Sequence, residues 1–504
     1  ARIAWGFTNT GPDTQDLFLE RIDPRDPERY QTPEGWARFE TRSEKIRVRG
    51  GADVPLRVRE TRHGPVISDV HPQAVDTMRG RRLGERYALA FQWTALQGGD
   101  TTMRAAFGIN SASDWAGFVA AVRSVGAPQQ NMVFASVDGD IGFIAPGRVP
   151  VRHPDNDLHG LAPAPGWDAR YDWQGFVPFE ALPSVHRPAS GAVVTANQKI
   201  VSPEDPHFLG AEWTLPYRFD RITELLDGKA RHDPASFAAL QSDVVSRAVV
   251  ELLPWLREAR PASEAGRAAL QRLRGWNGEM RADLAEPLIV TAVIDRLRRR
   301  IFEDEVGEAL FPLLERQRVR HTAMLRALTR PAHAVWCDDL RTTEVETCEA
   351  QRDRALEEAV GALSARYGAD PSRWRWGEAH VAVSEHRPFS RVAALARFFE
   401  IRVPSQGDTH TVDVGRHNPW DTEDPFANRW AASLRAIYDL GDADGTRLIH
   451  STGQSGHPLS SHFSDMAEPW SRGRTVVVPM RPESVEKAAR STLRVVPSGT
   501  GAGG

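Results

Sequence analysis

The period of hydrophobicity along the chain changes twice, and this restricts the fold more than any single motif does. From Ile3 to about Val194, short apolar runs alternate with turn signals. The runs are KIRVRG from Lys45, LRVRETRHGPVI from Leu56, YALAFQW from Tyr87, NMVFASVDGDIGFIAPG from Asn131 and GAVVTAN from Gly191. Brief stretches of this kind, rich in β-branched and aromatic residues, predict strands. The Asp138-Gly139 pair predicts a hairpin, as does Asp444-Gly445 further on. One helix interrupts them over SDWAGFVAAVRSVG, with Trp115, Phe118, Val119 and Val122 on one face.

At Asp233-Pro234, an N-cap followed by proline, the period becomes helical. SEAGRAALQRLRGWNG, EPLIVTAVIDRLRRRIFEDEVG and RDRALEEAVGALSARYG read as amphipathic helices, and after about Trp376 strand-like runs return in HTVDVG, LRAIYDLG, TRLIHSTG and TVVVPM. Strands at both ends with helices between predict an α+β layered fold rather than a doubly wound one. The expected divisions are 1–232, a mainly helical 233–376, and 377–504. A chain of 504 residues is long enough for several lobes or one large multilayer domain.

Charge and composition narrow the function. With 63 basic and 67 acidic side chains the net charge is −4, so there is no electrostatic footprint for nucleic acid. No run approaches the ~20 apolar residues of a membrane span. Cys337 and Cys348 lie in the polar segment VWCDDLRTTEVETCEAQ, with ten residues between them. A disulfide between them is expected, and with it a periplasmic or secreted location. Familiar catalytic signatures are missing. GTGAGG at the end has no following helix, STGQSGHP lacks the second spacing of a nucleophile elbow, and His380 and His386 are wrongly spaced for a zinc protease.

Seven stretches, in order, resemble the β-chain of the penicillin acylase family of N-terminal-nucleophile amidohydrolases. They are RIAWGFTNTGPDTQDLFLERI, TRHGPVISD, PAPGWDARYDWQGFVPFEALP, GAVVTANQKI, YRFDRITELL, LQSDVVS and STGQSGHPLSSHFSD. The resemblance implies a four-layer αββα sandwich with an inserted helical region. It also implies a serine at the start of the β-chain that attacks an amide carbonyl, with its own α-amine as base. Carried over residue by residue, the backbone oxyanion donor falls on Asn9, the side-chain donor on Asn197, and a supporting arginine on Arg221. A structural Ca²⁺ would be held by Asp13, the Gln15 carbonyl, Asp16, the Gly160 carbonyl and Asp205. Taken without the resemblance, Asn9 is a turn residue, Asn197 caps a strand end, Arg221 is a surface cation, and Asp16 pairs with Arg21. His63, before Gly-Pro, reads as part of a strand-bending turn and not as an acid or base.

The family interposes several dozen residues between its serine and the strand matched by RIAWG. The nucleophile, its segment of β-chain and the α-chain are therefore expected upstream in the same precursor, and the 504 residues alone are expected to be inactive. The implied substrates are amides with a hydrophobic acyl group, such as an acylated β-lactam nucleus or an N-acyl-homoserine lactone. The alternative is a catalytically inactive extracytoplasmic scaffold or binding protein derived from the family.

Overall fold

The computed structural model describes residues 2–80, 82–316, 321, 324–325, 328 and 331–495. The terminal GTGAGG lies outside them. The chain forms two compact units, Ala1–Pro216 and Tyr217–Gly504. The first boundary precedes the expected one at 232 because the helix Tyr217–Asp227 is tied to the helix Arg247–Leu256: Tyr217 donates to Glu251 at 2.5 Å and Arg247 to Glu224 at 2.6 Å. The boundary expected at 376 is absent, since the indole of Trp376 donates to the Gly407 carbonyl at 3.0 Å and Phe426 joins the helical core.

In the first unit an antiparallel sheet runs in the order Ile3–Asn9, Gln130–Ser136, Ile141–Ile144, Ser184–His186. The Asp138-Gly139 hairpin joins its middle strands as expected, with Gly139 at φ +86°. Helices Thr102–Ser111 and Trp115–Val122 cover one face, burying Ile109, Phe118 and Val122 against Met132, Phe134 and Ile144. Asp114 caps the second helix by accepting from the Gly117 N–H. The strand Gln15–Asp23 pairs antiparallel with Tyr87–Trp93, from Gln15 opposite Trp93 to Arg21 opposite Tyr87. GAVVTAN forms no strand: the chain there has no ladder partner and turns at Asn197 into the left-handed region.

The second unit is built on the helix Glu286–Val306. Leu288 to Ile294 are buried without interruption, so this helix is wrapped on all sides rather than amphipathic. The helix Cys348–Tyr367 lies along it, and Cys337 and Cys348 form a disulfide with Cα atoms 5.0 Å apart. Both cysteines belong to the buried core, although the segment that carries them is polar. The returning strands are short. Leu434–Ile437, Arg447–His450 and Val476–Val477 make one three-stranded sheet, and HTVDVG contributes only the start of the two-residue strand Gly415–Arg416.

His380 is buried in this unit, with Nδ1 2.7 Å from the Phe426 carbonyl and its ring stacked on Trp376 at 4.2 Å. Burial holds it neutral down to about 3, whereas the unfolded chain protonates it near ~6.5. The stability it contributes is therefore full above ~6.5 and is lost as the pH falls from there towards 3. Denaturant titrations across the acidic range should show destabilisation on acidification in the native protein and a shallower slope in His380→Gln. Replacing both cysteines by alanine should cost about 3 kcal/mol by the loop-entropy relation, read from the same titrations.

Candidate functional site

The site begins where the strand Ile3–Asn9 ends. The Asn9 carbonyl accepts from two carboxamides, Asn197 Nδ2 at 2.8 Å and Asn131 Nδ2 at 3.2 Å. Asn131 Nδ2 also lies 3.2 Å from Thr8 Oγ1, which in turn lies 2.8 Å from Thr195 Oγ1. Thr10 donates to the Gln129 carbonyl at 2.9 Å, closing the corner. Asn197 has φ +69°. Asparagine tolerates this left-handed conformation better than most side chains, and strain of this kind concentrates at functional positions. The structure thus brings together Asn9 and Asn197, which stand 188 residues apart in sequence. Asn131, fully buried in the strand Gln130–Ser136, is a member of the corner that sequence reasoning does not single out, because its partner Asn9 is 122 residues away.

Arg221 belongs to the second unit, on the helix Tyr217–Asp227. Its guanidinium makes a two-pronged contact with Asp243, through Nε at 3.0 Å and Nη2 at 2.7 Å, and Nη1 donates to Glu224 at 3.0 Å. It is a held cation rather than a solvated surface one, with only 17% of its side chain exposed.

Asp13 and Asp16 meet Gly160, but Asp16 does not pair with Arg21. Residues five apart on a strand point to opposite faces, and Arg21 instead donates to Gln31 and lies over Trp167 at 4.0 Å. The partner of Asp16 is Arg152, with Nη2 at 2.6 Å and Nε at 3.1 Å, and the Trp173 indole donates to the same carboxylate at 2.7 Å. A Cβ on Gly160, whose φ is +81°, would lie 2.8 Å from Asp13 Oδ2 and against Asp16 Oδ1. Asp13 Oδ2 is buried without a hydrogen-bond partner. Burial pushes the Asp13 carboxyl up to about 6, with Arg152 opposing the shift and Asp16 adding to it. An orphaned carboxylate oxygen beside a second carboxylate and a glycine cradle fits a hard cation. Gln15 opens the adjoining strand, opposite Trp93. Asp205 is not a third carboxylate of this group: it accepts from the His207 N–H at 2.9 Å, and no three His, Cys, Asp or Glu side chains among the described residues form a set able to hold a metal.

His63 does more than occupy a turn. Gly64 does bend the chain, with φ +127° and no room for a Cβ beside the Phe91 carbonyl. The ring itself lies between two carboxylates, Nδ1 2.7 Å from Glu20 and Nε2 3.0 Å from Asp172, and stacks on Phe18 at 3.7 Å.

The chain is similar to several known proteins. An acyl-homoserine lactone acylase, QuiP of Pseudomonas aeruginosa, is 29% identical over 96% of this chain and 60% of its own length. The penicillin acylase 2 proenzyme of Pseudomonas sp. strain SE83 is 30% identical over 93% of this chain and 58% of its own. The chain therefore spans about 60% of the length of such relatives. Among solved structures, the thermostable penicillin G acylase from Alcaligenes faecalis superposes with a TM-score of 0.70 and 20% identity over 99% of this chain and 88% of that one. The fold is accordingly the α+β fold of that enzyme. The penicillin amidase family pattern matches residues 1–487, and the chain belongs to that family.

Proposed function

We propose that the protein hydrolyses linear amides, releasing a hydrophobic acyl group from an N-acyl-homoserine lactone, a β-lactam nucleus or a related amine, and that this chain supplies the oxyanion donors. The observation that carries the reading is the fixed corner in which the Asn197 carboxamide sits 2.8 Å from the Asn9 carbonyl. Attack on an amide places negative charge on the carbonyl oxygen, and donors already in place lower the barrier without reorganising. A neutral carboxamide offers N–H groups without a charge that would retain the product carboxylate. The attacking serine and its α-amine come from an upstream segment of the same precursor, and the α-chain completes the acyl pocket. An α-amine has an ordinary pKa near ~8, so a modest lowering makes it a base at neutral pH. Arg221, held by Asp243 and Glu224, supports the nucleophile's surroundings. The disulfide favours a periplasmic or secreted protein.

We further propose that Asp13, Asp16 and the carbonyls of Gln15 and Gly160 hold a structural calcium ion, supported by the orphaned Asp13 oxygen and the glycine cradle. Bound there, the ion neutralises buried carboxylate charge; it takes no part in the reaction.

In the full-length protein, Asn197→Ala should lower kcat by about a hundredfold to a thousandfold with little change in KM, a loss of about 3 to 4 kcal/mol. Hydrolysis assays on a panel of acyl-homoserine lactones and penicillins read this, and near-native turnover would remove Asn197 from the oxyanion site. Chelation should lower the melting temperature by several degrees, and added calcium should restore it; an unchanged melting curve would argue against the ion.

A further inference from the structure

The cation loop already contains a cation. The Arg152 side chain is 4% exposed, as is that of Asp16, so the pair is buried. Its two nitrogens form a fork on both Asp16 oxygens, and Nη2 also donates to the Asp13 carbonyl at 3.2 Å and lies 3.6 Å from Asp13 Oδ1. With the Trp173 indole, three donors occupy the Asp16 carboxylate, whose two oxygens have about four lone-pair sites. The remaining acceptor capacity lies on Oδ1, on the side where Gly160 approaches, close to the unpartnered Asp13 Oδ2. Arg152 Nη2 stands at the same place, 2.7 Å from where a Gly160 Cβ would be. A divalent ion bridging Asp13 and Asp16 would therefore share its oxygens with a fixed positive charge.

We propose that Arg152 is a built-in countercharge of this loop, which holds Asp16 in place when no metal is bound and weakens the binding of a divalent cation there. Asp13, Asp16 and Arg152 together carry a single negative charge, with Glu212 adding to the negative field at Asp13, and Arg152 thus removes half of the carboxylate charge that the loop must otherwise hold without metal. Removing the guanidinium leaves the buried Asp16 carboxylate and the partly buried Asp13 carboxylate with no countercharge, a costly state unless a metal supplies it. Calcium affinity rises with the net ligand charge, so removing Arg152 strengthens the site for calcium as it weakens the metal-free fold. This inference rests on the calcium reading above.

The test compares the full-length native protein with Arg152→Gln and Arg152→Lys, by thermal melting in chelator and in calcium and by calorimetric calcium titration. Native protein should remain folded in chelator. Arg152→Gln should melt well below it there, recover most of the difference in calcium, and bind calcium about tenfold more tightly. Arg152→Lys, which keeps the charge but loses the fork, should fall between them in chelator with near-native calcium affinity. If Arg152→Gln folds in neither condition, a lowered melting temperature of Arg152→Lys that calcium restores supports the countercharge, and native behaviour of that variant overturns it. Equal calcium affinity in all three proteins overturns the competition while leaving the calcium site intact. Calcium uptake by none of them overturns the calcium reading and the competition together.

Discussion

The strand Gln15–Asp23 buries Asp16, Phe18 and Glu20 on one face, and much of the first unit is arranged to make that possible. Alternation places the three side chains on the same side. Two of them are carboxylates, and a buried carboxylate is stable only when a donor or cation meets it. Arg152 and Trp173 answer Asp16, and Thr61 and His63 answer Glu20, with the His63 ring laid on Phe18 between them. Segments far apart in sequence are thereby drawn to one strand: the hairpin end at Thr61–His63, the strand Pro150–Arg152 and the loop before Trp173. The sheet partner Tyr87–Trp93 fixes the register in which they meet.

The same polar ladder stands beside the corner at Asn9, because the strand follows directly from Asn9 through the loop that carries Asp13. Order in the loop and order in the corner are therefore coupled through a few residues of backbone. The Asp13 N–H donates to the Leu209 carbonyl at 2.6 Å, and the Thr214 N–H to the Asn197 carbonyl at 3.3 Å, so the irregular stretch after Asn197 is pinned at the loop and at the corner alike. A structural cation placed here would act on geometry more than on chemistry.

Sequence period revealed the strands Tyr87–Trp93 and Gln130–Ser136, the Asp138-Gly139 hairpin and the helices at Trp115, Pro234, Glu264 and Glu286, since each depends on local pattern and capping. It misread GAVVTAN, whose composition suits a strand but whose backbone is taken up by an unpaired turn, and it missed that the helix from Glu286 is covered all round, a property of its neighbours. Family resemblance singled out Asn9 and Asn197, and in the structure the Asn197 carboxamide donates to the Asn9 carbonyl at 2.8 Å. Arg152, Asn131 and Asp243 were invisible because a buried polar pair is defined by its partner, and the partners lie 136, 122 and 22 residues away. The pairing of Asp16 with Arg21 failed on strand parity, which the spacing of five residues could have excluded.

The left-handed backbone of Asn197 narrows the amino acids that position can accept from two independent directions. Glycine meets the conformational demand and has no amide to give. Glutamine has the amide, but its longer side chain lacks the local tolerance of φ near +69° and would present the group from a different distance. Aspartate accepts the backbone and reverses the polarity of the group. If the Asn197 amide is the donor proposed above, none of these three replacements meets both the backbone and the polar requirement.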